Sequence, residues 1–214
     1  RGQLLITEIM AAPESGQPEW VEIQNVHARW LSLQACRFAD ATSSVLLPDS
    51  WLAPGERVIL LPLNASGPIG NGKNLRLNLP GLNNSGDTLS LRSAGGQWLH
   101  RVAYSDGWYG NPVLAAGGYS LEMVDTSVWS GDESDSKSSL ATERSTPGLR
   151  NSVAAPLSDT VPPRLIDVYP ESPFVLRLTF DEWPDVASMK TDNFVVRPGQ
   201  IIPDQLHTDE GKQE

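Results

Sequence analysis

Apolar and polar residues alternate over short stretches of this chain, and turn residues separate the stretches. Trp20–Asn25 is typical, because Val21 and Ile23 fall on one side and Glu22 and Gln24 on the other. A period of two over four to eight residues predicts a half-buried β-strand. About ten such stretches precede residue 124, and none shows the capped 3.6-residue period of a helix. The pattern predicts an all-β, antiparallel β-sandwich.

Two later stretches differ from this pattern in composition. Residues 130–139 are rich in Ser, Asp and Gly and predict a flexible loop, and residues 154–163 contain three prolines and predict a linker. Further strand patterns follow at Leu165–Tyr169, Phe174–Phe180 and Phe194–Arg197. The predicted divisions are a first domain over residues 1–153, a linker over 154–163, and a second domain with a polar tail over 164–214.

Charge and cysteine content narrow the class of protein. The formal net charge is −10 and the isoelectric point about 4.7, which disfavours nucleic acid and anionic lipid as direct partners. No apolar stretch approaches the length that crosses a bilayer, so we expect no membrane insertion. The single cysteine, Cys36, excludes an internal disulfide and is expected to be a buried apolar residue. The chain begins at Arg1 without Met, and we expect a mature form from which a targeting segment was removed.

The histidines and serines match no catalytic pattern. His27, His100 and His207 form no HExxH or His-x-His motif, and we expect them at the surface or at strand edges. The sequence also contains no Gly-x-Ser-x-Gly elbow and no complete phosphate-binding loop. We therefore predict no cofactor and no catalytic site.

Two acidic groups leave alternatives open. Glu8 and Glu22 lie in neighbouring predicted strands and could pair as the two carboxylates of a glycosidase, although contact with solvent or loop amides is the favoured interpretation. Asp132, Glu133 and Asp135 offer oxygen ligands for calcium on one loop. The spacing of a calcium-binding loop is absent there, so a solvated acidic loop is favoured.

The chain is rich in tryptophan, with seven in 214 residues. Four of them are expected in the core or in half-buried packing, namely Trp20, Trp51, Trp98 and Trp129. Trp108, Tyr109 and Asn111 follow a predicted strand in a Gly- and Pro-containing loop. Exposed rings beside an amide suit the face of a sugar or a peptide, so these three residues are the candidate ligand-binding residues. The alternative is that the rings fold back over one end of the sandwich.

Several of these segments, in this order, resemble the lamin-tail domains of bacterial proteins. They are Leu5–Pro13, Glu19–Asn25, Leu52–Glu56, Gly81–Leu91, Val102–Asp106, Gly117–Glu122 and Ser145–Ser152. After the linker, Asp159–Leu165 and Leu176–Glu182 are similar to segments of the Ig-like modules of bacterial surface and S-layer proteins, and about half of such a module is present.

The resemblance implies an immunoglobulin-like antiparallel β-sandwich followed by a partial Ig-like β domain. It implies a non-catalytic structural or interaction module of a bacterial secreted or cell-surface protein. The location would be extracellular, at the cell surface or periplasmic, and the partners would be neighbouring domains and a glycan or protein ligand. The alternatives are a carbohydrate-binding accessory module of a secreted hydrolase and, least favoured, a paired-carboxylate hydrolase. Fold resemblance alone does not decide among them.

Overall fold

A computed structural model describes residues 3–128, 133–157, 163–180 and 189–207. The chain divides into two compact units, residues 1–158 and residues 159–214. In its described residues the first unit forms twelve short strands: β1 (Leu4–Met10), β2 (Trp20–Asn25), β3 (Leu31–Ser32), β4 (Arg37–Ala39), β5 (Ser44–Leu46), β6 (Trp51–Leu52), β7 (Arg57–Pro62), β8 (Lys73–Leu77), β9 (Gly86–Arg92), β10 (Trp98–Ser105), β11 (Leu121–Met123) and β12 (Ser136–Ser138).

Two sheets make up most of this unit. The larger has the order β12-β11-β1-β2-β7-β8 and the smaller the order β10-β9-β4-β5. All their pairs are antiparallel except β7 with β8. A two-stranded ribbon of β3 and β6 accompanies them. The predicted fold class is confirmed, since this unit is an immunoglobulin-like β-sandwich.

The main core lies between the two sheets and is built by alternate residues of their strands. Val21 and Ile23 of β2 contribute from the larger sheet, and Phe38, Leu89 and Leu91 contribute from the smaller one. Each is almost completely buried. Burial of one such side chain contributes about 1.5–3 kcal/mol, so this alternation supplies the main force that holds the sheets together.

The other face of the larger sheet is buried as well, which corrects the prediction of half-buried strands. Every residue of β1 and β2 is buried, including the polar ones. A second apolar cluster of Met10, Trp20, Ile59 and Leu61 lies apart from the main core. Sequence periodicity could not show this, because the cover consists of distant loop residues.

The segment between β10 and β12 also differs from its prediction. Asp106–Tyr109 forms a 3-10 turn, and Pro112–Ala115 forms a short helix, α1. Residues 136–138, predicted as part of a flexible loop, form the edge strand β12 because β11 offers them a partner. Residues 130–132 of the predicted loop lie outside the described residues.

Among its described residues, the second unit contains an antiparallel hairpin of β13 (Leu165–Ser172) and β14 (Val175–Phe180). All eight residues of β13 are exposed. The prediction of a strand over Phe194–Arg197 is wrong, because within that range only Val196 forms a bridge, with Ile201. The polar tail from Thr208 onward lies outside the described residues. Membership of this unit in an Ig-like family stays a prediction.

Candidate functional site

Three glutamates stand side by side on the outer face of the larger sheet. In the strand register, Glu8 of β1 is opposite both Glu122 of β11 and Glu22 of β2. Directly opposed residues of neighbouring strands have Cβ atoms about 4.5–5.5 Å apart. All three side chains are completely buried. We name these residues the glutamate row.

Glu8, in the middle of the row, is held by two residues from later in the chain. Its Oε1 accepts hydrogen bonds from Ser120 Oγ at 2.6 Å and from the backbone N–H of Thr146 at 2.7 Å. The pKa of Glu8 is raised to about 8, chiefly by burial; the hydrogen bonds from Ser120 and Thr146 oppose this rise, and the neighbouring charges of Glu22 and Glu122 add to it. Glu8 is therefore mostly protonated at neutral pH.

The outer members of the row are bonded in the same manner. Glu22 accepts from Thr7 Oγ1 at 2.6 Å and from the Gly148 N–H at 2.7 Å. Its Oε1 lies 3.3 Å from Arg57 Nε. Burial raises the pKa of Glu22, and the hydrogen bonds and the guanidinium of Arg57 oppose that shift. Its charged form is thus partly compensated inside the fold.

Glu122 takes three donors from the end of the unit. Its Oε2 accepts from Ser152 Oγ at 2.7 Å and from the Val153 N–H at 3.2 Å. Thr146 Oγ1 lies 2.9 Å from Glu122 Oε1 and 3.3 Å from Glu8 Oε2. A hydroxyl has one proton to donate, so a protonated Glu8 satisfies both contacts by donating to Thr146, which then donates to Glu122.

Most of these donors come from residues 144–153, which we name the covering segment. Its local sequence suits the task, because Gly148 adopts φ +80° beside the backbone of Gly72. A side chain there would overlap that backbone, since a Cβ would lie 2.2 Å from Gly72 N. Asn151 Nδ2 then bonds the carbonyls of Thr7 at 2.8 Å and Met123 at 2.9 Å, which fixes the segment across β1 and β11.

This arrangement decides between the alternatives for Glu8 and Glu22. The interpretation that they bond loop amides is confirmed, and exposure to solvent is wrong. An open cleft at this pair is also wrong, because the covering segment occupies the hydrogen-bonding positions of both carboxyls. A glycosidase would need those positions for a sugar and a water molecule. The pair therefore stabilises the fold in this structure.

The predicted ligand-binding residues lie together at the turn after β10, but they do not form an open platform. Tyr109 is buried in the core, which contradicts an exposed ring, and Trp108 is half-buried against the same core. Asn111 caps α1, since its Oδ1 accepts from the Val113 N–H at 2.8 Å. Trp108 is the member of this set with an accessible ring.

A pocket of about 760 Å³ opens beside Trp108. The turn and α1 form one wall, and β12 with its flanking residues forms the other. The described lining residues are Trp108, Tyr109, Gly110, Leu114, Glu133, Ser134, Ser136, Lys137, Ser138 and Leu140. We name it the Trp108 pocket. Its volume lies within the range of small-ligand sites.

The comparison with protein families gives one match. Residues 1–106 match the lamin tail domain family. This is a non-enzymatic, immunoglobulin-like family of interaction modules. The comparison with curated proteins returned no match.

The lamin tail match ends before the unit does. Residues 107–158 supply β11, β12 and the covering segment, and therefore most donors to the glutamate row. They also supply the Trp108 pocket. The resemblance that the sequence shows to lamin-tail domains is confirmed over residues 1–106, and the motifs beyond it complete the same sandwich.

The other predicted residues divide between confirmed and corrected positions. Cys36 and Trp20 are buried as expected. Trp51 is 58% exposed, and Trp98 is 43% exposed with Arg92 lying 3.6 Å over its ring, so neither is core. His100 is buried and its Nδ1 accepts from the Ile6 N–H, which contradicts a surface position.

His27 and His207 lie in non-strand segments, and Trp129 and Asp132 lie outside the described residues. Asp135 is buried, which contradicts the favoured interpretation of a solvated acidic loop at this residue. Among the residues that the structure describes, no three His, Cys, Asp or Glu side chains come together as a possible metal site. Calcium binding stays untested. No described helix is long and apolar enough to span a membrane.

Sequence reasoning missed Glu122 and Thr146. Glu122 has the same signal as Glu22, because each is an acid between two apolar residues of a short strand. That shared pattern could have placed both in one row. Thr146 has no local signal, since its role depends on β1, 138 residues away, and on β11, 24 residues away.

Proposed function

We propose that this chain is a non-catalytic interaction module of a bacterial secreted or cell-surface protein. The observation that carries the proposal is the closure of the glutamate row by the chain's own covering segment. Carboxyls that accept buried N–H and O–H groups are held in one geometry and are not free to act on a substrate. The lamin tail match over residues 1–106 supports the same conclusion.

The remaining features of this proposal concern partners and location. We propose two kinds of partner, namely the neighbouring domains of a larger surface protein and a glycan or protein ligand. We propose no cofactor. The net charge of −10 disfavours nucleic acid as a partner, because it repels the phosphate backbone. The extracellular, surface or periplasmic location follows from the resemblance to bacterial lamin-tail domains.

Location is tested on intact source cells. An antibody against the chain should label the cells, or their periplasm after outer-membrane permeabilisation, and external protease should remove the surface label. A cytoplasmic control protein should resist the same treatment. Labelling that requires lysis of the cytoplasmic membrane would contradict the proposed location.

A second candidate is a carbohydrate-binding accessory module, as the sequence also suggests. The specific observation in its favour is the Trp108 pocket, where an aromatic ring stands among hydroxyl and charged side chains. Sugar sites combine these two features because a pyranose ring has an apolar face and a polar rim. The site within this candidate is argued next.

A further inference from the structure

The Trp108 pocket has an apolar side made of three residues. Trp108 and Leu114 pack against the main core, and Leu140 lies across from them with 79% of its side chain exposed. Leu140 lines the same concave surface as Trp108 and Leu114. The wall therefore offers a ring and an aliphatic group to an apolar ligand face.

Two hydroxyls of the lining residues are buried without a partner. Tyr109 Oη and Ser138 Oγ have no hydrogen-bond partner within the described part of the chain, and both residues are more than nine-tenths buried. Burial raises the pKa of Tyr109 to about 12, so its hydroxyl keeps its proton. An unmade hydrogen bond of this kind costs about 1–3 kcal/mol, but both oxygens are closed to solvent, so a ligand in the pocket does not reach them.

The rim of the pocket adds charged and backbone groups. Lys137 and Glu133 are exposed there, and neither forms an ion pair in the residues the structure describes. β12 is the edge strand of the larger sheet, so its outer backbone groups have no strand partner among the described strands. Donors and acceptors thus surround the apolar wall.

We propose that the Trp108 pocket binds one pyranose unit of a glycan, with the apolar face of the sugar on Trp108 and its hydroxyls toward the exposed Lys137 and Glu133. The pocket has an apolar wall and a polar rim, which match the apolar face and the polar hydroxyls of a sugar ring. This inference rests on the proposed function of a non-catalytic module, because the sugar must be held without being cleaved.

The test uses the whole chain and saturation-transfer-difference NMR with methyl glycosides of glucose, galactose, mannose, xylose and N-acetylglucosamine. Binding appears as saturation transfer to the sugar protons, whereas cleavage appears as free methanol. One sample thus reports sugar binding and glycoside cleavage as separate signals. The variants are Trp108→Ala, Lys137→Ala and Leu140→Ala, and the matched control is Trp51→Ala, an exposed tryptophan outside the pocket.

We expect saturation transfer to at least one glycoside, a loss of about tenfold in affinity in Trp108→Ala, and a smaller loss in Lys137→Ala and Leu140→Ala. Trp51→Ala should bind like the parent chain. Lys137 and Leu140 are exposed, so we expect both of their variants to fold even if Trp108→Ala does not. Thermal unfolding of each variant checks whether it is folded.

Absence of transfer to all five glycosides would overturn the pocket assignment. Loss of binding in Trp51→Ala with none in the pocket variants would overturn it as well, because binding would then lie on the β3–β6 ribbon. Release of methanol together with binding would contradict the non-catalytic function and leave the pocket assignment standing.

Discussion

The glutamate row and the Trp108 pocket lie in the same unit and differ in whether their buried polar groups have hydrogen-bond partners. In the row, three buried carboxyls accept hydrogen bonds from Thr7, Ser120 and the covering segment. In the pocket, the buried hydroxyls of Tyr109 and Ser138 have no partner in the described residues. The difference teaches that burial of a polar group does not by itself mark a functional site. The informative property is whether the chain satisfies the group itself.

The largest expected effect comes from opening the row by Gly148→Ala. The new Cβ would overlap the backbone of Gly72 and strain φ +80°, so the covering segment must shift and the bond from the Gly148 N–H to Glu22 is lost. We expect a loss of about 3–5 kcal/mol in the free energy of unfolding. Urea unfolding followed by tryptophan fluorescence measures it.

Gly55→Ala is the matched control for this substitution. Gly55 has φ +78° and no atom near its Cβ position, so it shares the backbone strain and lacks the overlap. We expect it to lose about 1–2 kcal/mol. Equal losses in the two variants would mean that the close approach of Gly148 to Gly72 is not important.

The second expected effect is a fall in stability as the pH rises. The pKa of Glu8 is raised from 4.5 in the unfolded chain to about 8 in the fold. The contribution of Glu8 to the free energy of unfolding is therefore fully present below pH 4.5 and is lost as the pH rises through 8. Between pH 5 and pH 8 the loss is about 3 kcal/mol. Urea unfolding at several pH values between 5 and 9 measures it.

Glu8→Gln separates this effect from other titrations. Glutamine keeps an acceptor oxygen for Ser120 and Thr146 and cannot ionise. The stability of this variant should change much less between pH 5 and pH 8 than that of the parent chain. A parallel decline in both proteins would show that another group is responsible.

A smaller loss is expected from Thr146→Val, which removes the hydroxyl between Glu8 and Glu122 and preserves the shape of the side chain. Two buried carboxyl oxygens lose a contact, so we expect a loss of about 1–3 kcal/mol in the free energy of unfolding. The hydrogen bond from the Thr146 backbone N–H to Glu8 is kept in this variant. A double-mutant cycle with Glu122→Gln measures the pairwise part, and a coupling energy near zero would contradict the shared hydroxyl.

The smallest effect is expected in the pocket, from Tyr109→Phe. The removed hydroxyl has no partner in the described residues, so stability should be unchanged or slightly higher. Tyr104→Phe is the control, because its hydroxyl donates to the Asn83 carbonyl at 2.9 Å. We expect the control to lose about 1 kcal/mol. A comparable loss in Tyr109→Phe would show that its hydroxyl has a partner in the folded protein.

Much of the first unit could be predicted from local pattern. Alternation identified β2, short apolar runs bounded by turn residues identified β1 and β7, and the Pro-Gly turn before β7 has a clear chemical signature. The β6 and β12 strands were missed because two or three residues carry too little periodicity. The burial of Glu8 and His100 was missed because it depends on partners about 100 residues away, Thr146 and Ile6.

The candidate sites were predictable only in part. The prediction that Glu8 and Glu22 lie in neighbouring strands is confirmed, whereas a ligand-binding role for Trp108 stays a prediction. Nothing in the sequence indicated that Ser138 and Lys137 stand across from Trp108, since β12 reaches the pocket only through its pairing with β11. Contacts set by sheet order are not encoded in any single stretch.

The covering segment also bears on how the protein is made. The hydrogen bond from the Thr146 N–H to Glu8 spans 138 residues. Closure over such a separation is slow, and at about 5–20 residues per second synthesis from Glu8 to Thr146 takes about 7–28 seconds. During that interval the outer face of β1 and β2 is uncovered, with an ionisable carboxyl in full contact with water. The nascent chain therefore stays open and charged until the end of its first unit has been translated.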